Sequence, residues 1–438
     1  MTKGGAVSLI RAWTIVGILS LLFVVSMVDR FALGLLVQPL KQDLGVSDVQ
    51  LGFLFGSAFA LFYGVLTIPI ARMADHGNRL RLIVGAALLW SACTALSGFA
   101  TSFAMLIALR IGLAIGEAAL VPSAYSMIGD LFPPERRTLG GAVFNTFGMA
   151  GASGAYIIGS SAIDVSEAMQ LHQSFADFKV WQLVFFLIGA PGVVLALVLA
   201  VVGREPGRAA PPGAVVDTSF KDVMRHVRTH GWLYPGLFIG AGLLQLGTNG
   251  FLAWTPTYLS RAFDMPIIEA GRLFGTSNLI AFIAGSLIMP IIGVWLARYR
   301  KDAIVLIAAA CSTISAVCCV VATLQSSPGA FILFAFLGLF TSVGGASTVI
   351  SSIHMLTPAR MRATLTAALL ICLTAIALGI APPFVGAVAE RFGTGKGALG
   401  VGMATVAAVG AVISVLLLLK ARSEVLRYLT AEEEGREG

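Results

Sequence analysis

The chain has 438 residues, of which 57% are hydrophobic and only 12% charged, about half the charged share of a soluble domain. No soluble fold covers that much apolar surface, so the composition excludes a soluble globular protein and requires a polytopic membrane protein. The net charge of +7 is no nucleic-acid signature, because the cations cluster in loops and no basic run interleaves with aromatics.

At roughly 20 residues per crossing, twelve spans are predicted. In the first half they cover 13–37, 50–72, 80–100, 102–127, 138–162 and 181–203. Span 1 follows Lys3 and Arg11 with no small-residue cleavage site, so it reads as a retained span and not a removed signal. It carries Asp29 and Arg30. Span 2 carries Tyr63. Span 4 carries Arg110 and Glu117, although an ionisable side chain at the bilayer centre costs at least roughly 2.5–3.5 kcal/mol on insertion scales. Seven residues apart is close to two helical turns, so the two face the same way about 10 Å apart along the axis. Span 5 carries Gly148, Gly151, Gly154 and Gly159, small residues that let membrane helices approach closely. The segment 164–179 is polar and is expected to be a loop.

The divide comes at 204–230. Pro206, Pro211 and Pro212 mark a linker. Beyond it Phe220, Val223, Met224 and Val227 recur at helical spacing, with Lys221, Arg225 and Arg228 on the other face, which predicts a short amphipathic helix on the membrane surface. The second half gives spans at 232–260, 271–297, 303–323, 329–354, 363–388 and 397–419. The expected organisation is a six-helix bundle at 1–203, the linker, and a second six-helix bundle with a tail at 231–438. Of 29 Lys and Arg, 21 fall in stretches on the N-terminal side of the membrane, six on the other side and two inside spans. Positive charge is retained inside, so both termini are expected to be cytoplasmic.

The five cysteines show neither ligand nor disulfide spacing. There is no HExxH, no GxSxG and no metal-ligand cluster, so neither an enzyme nor a metal or cofactor site is expected. A weak repeat crosses the linker. The stretch after span 8, Gly293 to Lys301, echoes Ala71 to Arg79, and Pro358-Ala-Arg360-Met-Arg362 echoes Pro134-Glu135-Arg136-Arg137, each about 222–224 positions on. Two halves in the same orientation are a parallel repeat, with a substrate site expected near the midplane.

The loop Ala74-Asp75-His76-Gly77-Asn78-Arg79-Leu80-Arg81 resembles the signature of the major facilitator superfamily. Ala71 stands where that signature prefers glycine, and His76 where it prefers a cation. Val28-Asp29-Arg30-Phe31, the stretch from Arg110 to Glu117-Ala118, Phe132-Pro-Pro-Glu135-Arg136-Arg137 and Trp254-Thr-Pro-Thr-Tyr258 look more specifically like the spinster-like branch. That branch is associated with lysosomal and plasma-membrane export of sphingosine-1-phosphate and lysophospholipids. The resemblance implies an all-α major facilitator fold of two six-helix bundles, in a bacterial inner-membrane protein.

Several roles follow. Burial penalises a charged Glu117 while a nearby arginine favours it, so a balanced carboxyl can load and lose protons. Asp29 and Arg110 share a depth, and in this superfamily spans 1 and 4 line the cavity. Arg110 is expected to alternate between Asp29, Glu117 and an anionic headgroup. Arg30 sits one step, about 100°, from Asp29, and either meets the headgroup or ties span 1 to a neighbour. Asn249, Trp254 and Tyr258 in span 7, Asn278 in span 8 and Tyr63 are candidate cavity liners. Asp75, Arg79, Glu135, Arg136 and Arg137 are candidates for a lock at the cytoplasmic mouth. The leading expectation is a monomeric, proton-coupled secondary transporter of an amphiphilic anion, working among membrane lipids. Its rivals are an importer of small organic anions such as sugar acids, and a passive lipid facilitator or sensor.

Overall fold

A computed structural model describes residues 8–207, 220–300, 302–358, 361–393, 395 and 397–437. No strand occurs among the described residues. Eleven helical segments are long and apolar enough to cross a membrane, which makes this a multi-pass membrane protein. The predicted fifth span is a helix too, but Gly140, Gly141, Asn145, Ser153 and Ser160 thin its hydropathy, and it is not among the eleven.

The first unit comprises the described residues of Met1–Ala210 with Met265–Thr276. Its helices are α1 Leu9–Phe31, α2 Val37–Leu44, α3 Asp48–Gly52, α4 Ala58–His76, α5 Arg79–Ser97, α6 Phe103–Leu131, α7 Pro134–Gln170 and α8 Val180–Val202. Each chain entry is prepared locally. Ser8, Asn78 and Ser102 accept a hydrogen bond from the third residue onward and so cap α1, α5 and α6. Two irregularities interrupt the regular ladder. A 3-10 turn, Ala32–Leu35, follows α1, and a π-helical turn, Phe53–Ser57, lies between α3 and α4. Inside this unit α1 packs on α7, while α5 packs on α6 and α8. The contact of α1 with α7 is close because of Gly148, where an added Cβ would lie 2.0 Å from the Phe23 ring. That ring is itself stacked on Phe144.

The second unit comprises the described residues of Pro211–Asp264 and Ser277–Gly438. It contains α9 Phe220–Thr229, α10 Leu233–Phe263, the larger part of α11 Ile267–Ala297, α12 Ala303–Thr323, α13 Pro328–Leu356, α14 Arg362–Leu373, α15 Gly379–Arg391 and α16 Ala398–Glu437. A π-helical turn, Thr374–Leu378, joins α14 to α15. The amphipathic helix predicted after the linker forms as α9, while 208–219 lie outside the described residues. Part of its apolar side faces the protein, while Met224 is exposed. Val223 is buried in a core shared with Leu233, Leu237, Leu356 and Val425, and Val227 packs against that core. Burying those side chains against other helices removes them from water as completely as a bilayer would.

The sequence repeat has a structural counterpart. Arg137 Nε donates to the carbonyl of Phe132 at 3.1 Å, and Arg362 Nε donates to the carbonyl of Thr357 at 2.9 Å. In each unit an arginine at the head of one helix thus satisfies a carbonyl left open where the preceding helix ends.

Candidate functional site

The charged residues of spans 1 and 4 meet aromatic side chains of span 2 inside the first unit. Arg30, near the end of α1, reaches across to α6 and pairs with Glu117 at 2.6 Å. The Arg30 side chain is 13% exposed and that of Glu117 is 0%. The same guanidinium lies over the ring of Phe59 in α4, 4.1 Å from its centroid, and 5.3 Å from that of Tyr63. Phe59 and Tyr63 stand four apart on one face of α4 and stack at 5.1 Å. Arg30 therefore has a carboxylate along its edge and an aromatic wall along its plane, the two surfaces a guanidinium uses best.

Arg110 has a different task. Where α1 gives way to the 3-10 turn, its last carbonyls lose their helical partners. Arg110 Nη1 donates to the carbonyl of Asp29 at 3.0 Å and Nη2 to that of Arg30 at 3.3 Å. In this structure it is Arg30, and not Arg110, that holds Glu117. Arg110 fixes the backbone that carries Asp29 and Arg30. The Asp29 carboxyl is buried, and neither of its oxygens has a hydrogen-bond partner among the described residues. Glu117 Oε1 is likewise unpartnered. The cluster thus contains one tight ion pair, one anchored arginine and one acid with spare hydrogen-bonding capacity.

The remaining candidates are spread more widely. Trp254 is fully buried in the second unit and donates to the carbonyl of Pro382 at 3.0 Å, while Tyr258 donates to that of Thr323 at 3.3 Å and packs on Phe331. Asn249 is half-buried and donates to the carbonyl of Gln245, and Asn278 is buried. The side chain of Asp75 lies outside the described residues. Glu135 and Arg136 are exposed and form no ion pair among the described residues. Arg79 is the exception at this face. It is 1% exposed, pairs with Asp130 at 2.5 Å and Glu205 at 2.7 Å, and donates to the carbonyl of Pro206. In the second unit Asp302 holds the corresponding place, 3.0 Å from Arg300 and 2.6 Å from Arg422. The two arginines hold its carboxyl below the usual range, the Arg300 hydrogen bond being the main cause.

Sequence reading missed Phe59, Asp130 and Glu205. Phe59 had a signal, its spacing of four from Tyr63. Asp130 and Glu205 had one as well, since each closes a span that ends on the side where Arg79 begins.

A model of the Major Facilitator Superfamily matches residues 19–375. An MFS-type efflux pump of Mycolicibacterium smegmatis (strain ATCC 700084 / mc(2)155) is 33% identical over 280 residues, which is 64% of this chain and 62% of that protein, so the match spans less than two thirds of its length. A probable galactarate/D-glucarate transporter GudP of Escherichia coli (strain K12) is 26% identical over 320 residues, 66% of this chain and 67% of that protein. The crystal structure of a bacterial homolog to the human lysosomal transporter spinster, inward-facing and unoccupied, superposes with a TM-score of 0.81 at 23% identity. It covers 96% of this chain and 98% of that one, a likeness of fold.

Proposed function

This chain belongs to the Major Facilitator Superfamily, and from that premise we propose that it is a spinster-like secondary transporter that couples protons to the movement of an amphiphilic anion. The observation that carries this reading is the buried pairing of Arg30 with Glu117 against the Phe59–Tyr63 wall. A carboxylate on the protein and an anionic headgroup on the substrate compete for one guanidinium. When Glu117 takes a proton, the ion pair is lost and Arg30 is free to hold the headgroup. When the substrate leaves, Glu117 gives up the proton and reclaims Arg30. Asp29, buried beside the pair without a hydrogen-bond partner, is the second proton site. Tyr63 and Phe59 supply the apolar side of the seat. Asn249 and Asn278 are retained as polar liners in the second unit, and Asp75, Arg79, Glu135, Arg136 and Arg137 as the lock at the cytoplasmic mouth. The relative described as an efflux pump supports export as the direction.

The test is uptake of a labelled lysolipid into proteoliposomes, with and without a pH gradient, for wild type, Glu117→Gln and Asp29→Asn. Gradient-driven accumulation in wild type and its loss in Glu117→Gln is the expected result. Accumulation that ignores both the gradient and Glu117 would leave a passive facilitator. A second reading is supported by the likeness to GudP: a small sugar-acid carboxylate would also fit Arg30. Competition by glucarate, with no effect of lysolipid, would favour it.

A further inference from the structure

A small cavity lies inside the first unit between α5, α6, α8 and the turn after α1. Its walls are mostly apolar, Leu106, Leu113 and Phe185 among them, but Thr94, Ser97 and Arg110 also face into it. It offers about 10 Å³ to a water-sized occupant, the room of a single molecule.

The polar groups specify what that molecule is. Thr94 gives its hydroxyl proton to the carbonyl of Trp90 at 3.1 Å, and Ser97 gives its own to that of Cys93 at 2.8 Å. Each hydroxyl can then only accept. Arg110, 5% exposed, spends its two terminal nitrogens on the carbonyls of Asp29 and Arg30. Its Nε is buried and has no partner among the described residues. The occupant must therefore donate twice and accept once. An anion cannot donate, and would strip both hydroxyls from their carbonyls. A metal cation would face the guanidinium, and an ammonium has no lone pair for Nε–H. Thr94 and Ser97 stand three apart on α5, with Cβ atoms about 5–6 Å apart, a separation one bridging molecule spans.

We infer that Thr94, Ser97 and Arg110 hold one ordered water, which donates to both hydroxyls and accepts from Arg110 Nε–H. The water gives Arg110 Nε a partner. It keeps that guanidinium on the backbone of α1, which leaves Glu117 to Arg30. The water site rests on geometry alone, while its bearing on transport rests on the function proposed above.

X-ray radiolytic footprinting of the intact protein in nanodiscs tests this, because radicals generated from internal water oxidise adjacent side chains. Leu106, Leu113 and Phe185 are buried to 3%, 2% and 5% exposure, yet all three are expected to be labelled in wild type. Labelling should fall at least fivefold in Thr94→Val/Ser97→Ala, which removes both acceptors, and in Ser97→Leu, which fills the space. Wild-type silence at these residues, or labelling unchanged in both variants, would overturn the water site. Lysolipid uptake measured on the same samples separates the two ideas. Loss of labelling with uptake intact removes the water from transport. Labelling intact while Asp29→Asn transports normally counts against the carrier reading alone. A thermal melt confirms that each variant is folded.

Discussion

Replacing Arg79 by methionine keeps an unbranched apolar stem and removes the guanidinium with its charge and all its donors. The guanidinium is 1% exposed and makes five hydrogen bonds, to Glu205, Asp130, the backbone and hydroxyl of Ser126, and the carbonyl of Pro206. Removing one partner of a buried ion pair costs about 3–5 kcal/mol. Asp130 and Glu205 keep side-chain exposures of 17% and 24% and recover some hydration, which places the loss at the lower end, about 3 kcal/mol. In a cooperative unit of this size each kcal/mol moves the melting temperature by about 2–4 °C, so Arg79→Met should melt about 6–12 °C below wild type in detergent. Arg79→Lys should rescue little, since a single ammonium cannot reproduce a planar fork that serves four residues. The triple variant Arg79→Met/Asp130→Asn/Glu205→Gln leaves no buried charge unpaired and should recover to within about 1 kcal/mol of wild type. An Arg79→Met protein that melts within about 2 °C of wild type would refute the reasoning.

Asp302 offers a test with a pH axis. Its carboxyl is held below the ordinary value of 3.8, so its contribution is present at neutral pH and is lost as pH falls through that depressed value. Its arginine partners are 53% and 38% exposed, which limits the gain to about 1 kcal/mol; Asp302→Asn should therefore melt lower at pH 7, with the two melting curves converging as acid protonates the Asp302 carboxyl. Gly148→Ala places a methyl group against the stacked Phe23 ring and should cost about 1–3 kcal/mol, read as a lower melting temperature. Val223→Asp puts a carboxylate where a 5%-exposed valine packs; α9 should undock, and protease cleavage around 220–229 should accelerate while the membrane helices stay intact.

Hydropathy made the twelve spans legible, because a bilayer demands a long apolar run whatever the packing, and eleven of them form helices long and apolar enough to cross. It was weakest at α7, where contact with α1 requires glycines such as Gly148 that lower the apolar signal of the span. Asp29, Arg30, Arg110 and Glu117 were legible as a group for the same energetic reason, since charge in a span needs a partner. Their pairing was not legible. A step of 100° seemed to separate Arg30 from the site of Asp29, but an arginine side chain is long enough to cross to α6. The switch from α-helix to 3-10 turn, which no local signal announced, freed the carbonyls that hold Arg110. The apolar stripe of α9 was legible as a stripe, but periodicity alone could not show that Val223 and Val227 pack on the helical bundle.

The clamps at Arg79 and Asp302 bear on how a duplicated chain sorts its own helices. The two halves repeat the same backbone plan, so during synthesis helices from one half could nest against the wrong half with little steric objection. The sign of the charge differs between them. A cation sits among acids in the first half, and an acid sits among cations in the second. Crossing partners would set Arg79 against Arg422 or Asp302 against Glu205, and like charges at partly buried positions repel. Opposite polarity at equivalent places thus biases each helix toward its own half, by no more than the modest energy that half-exposed charges supply.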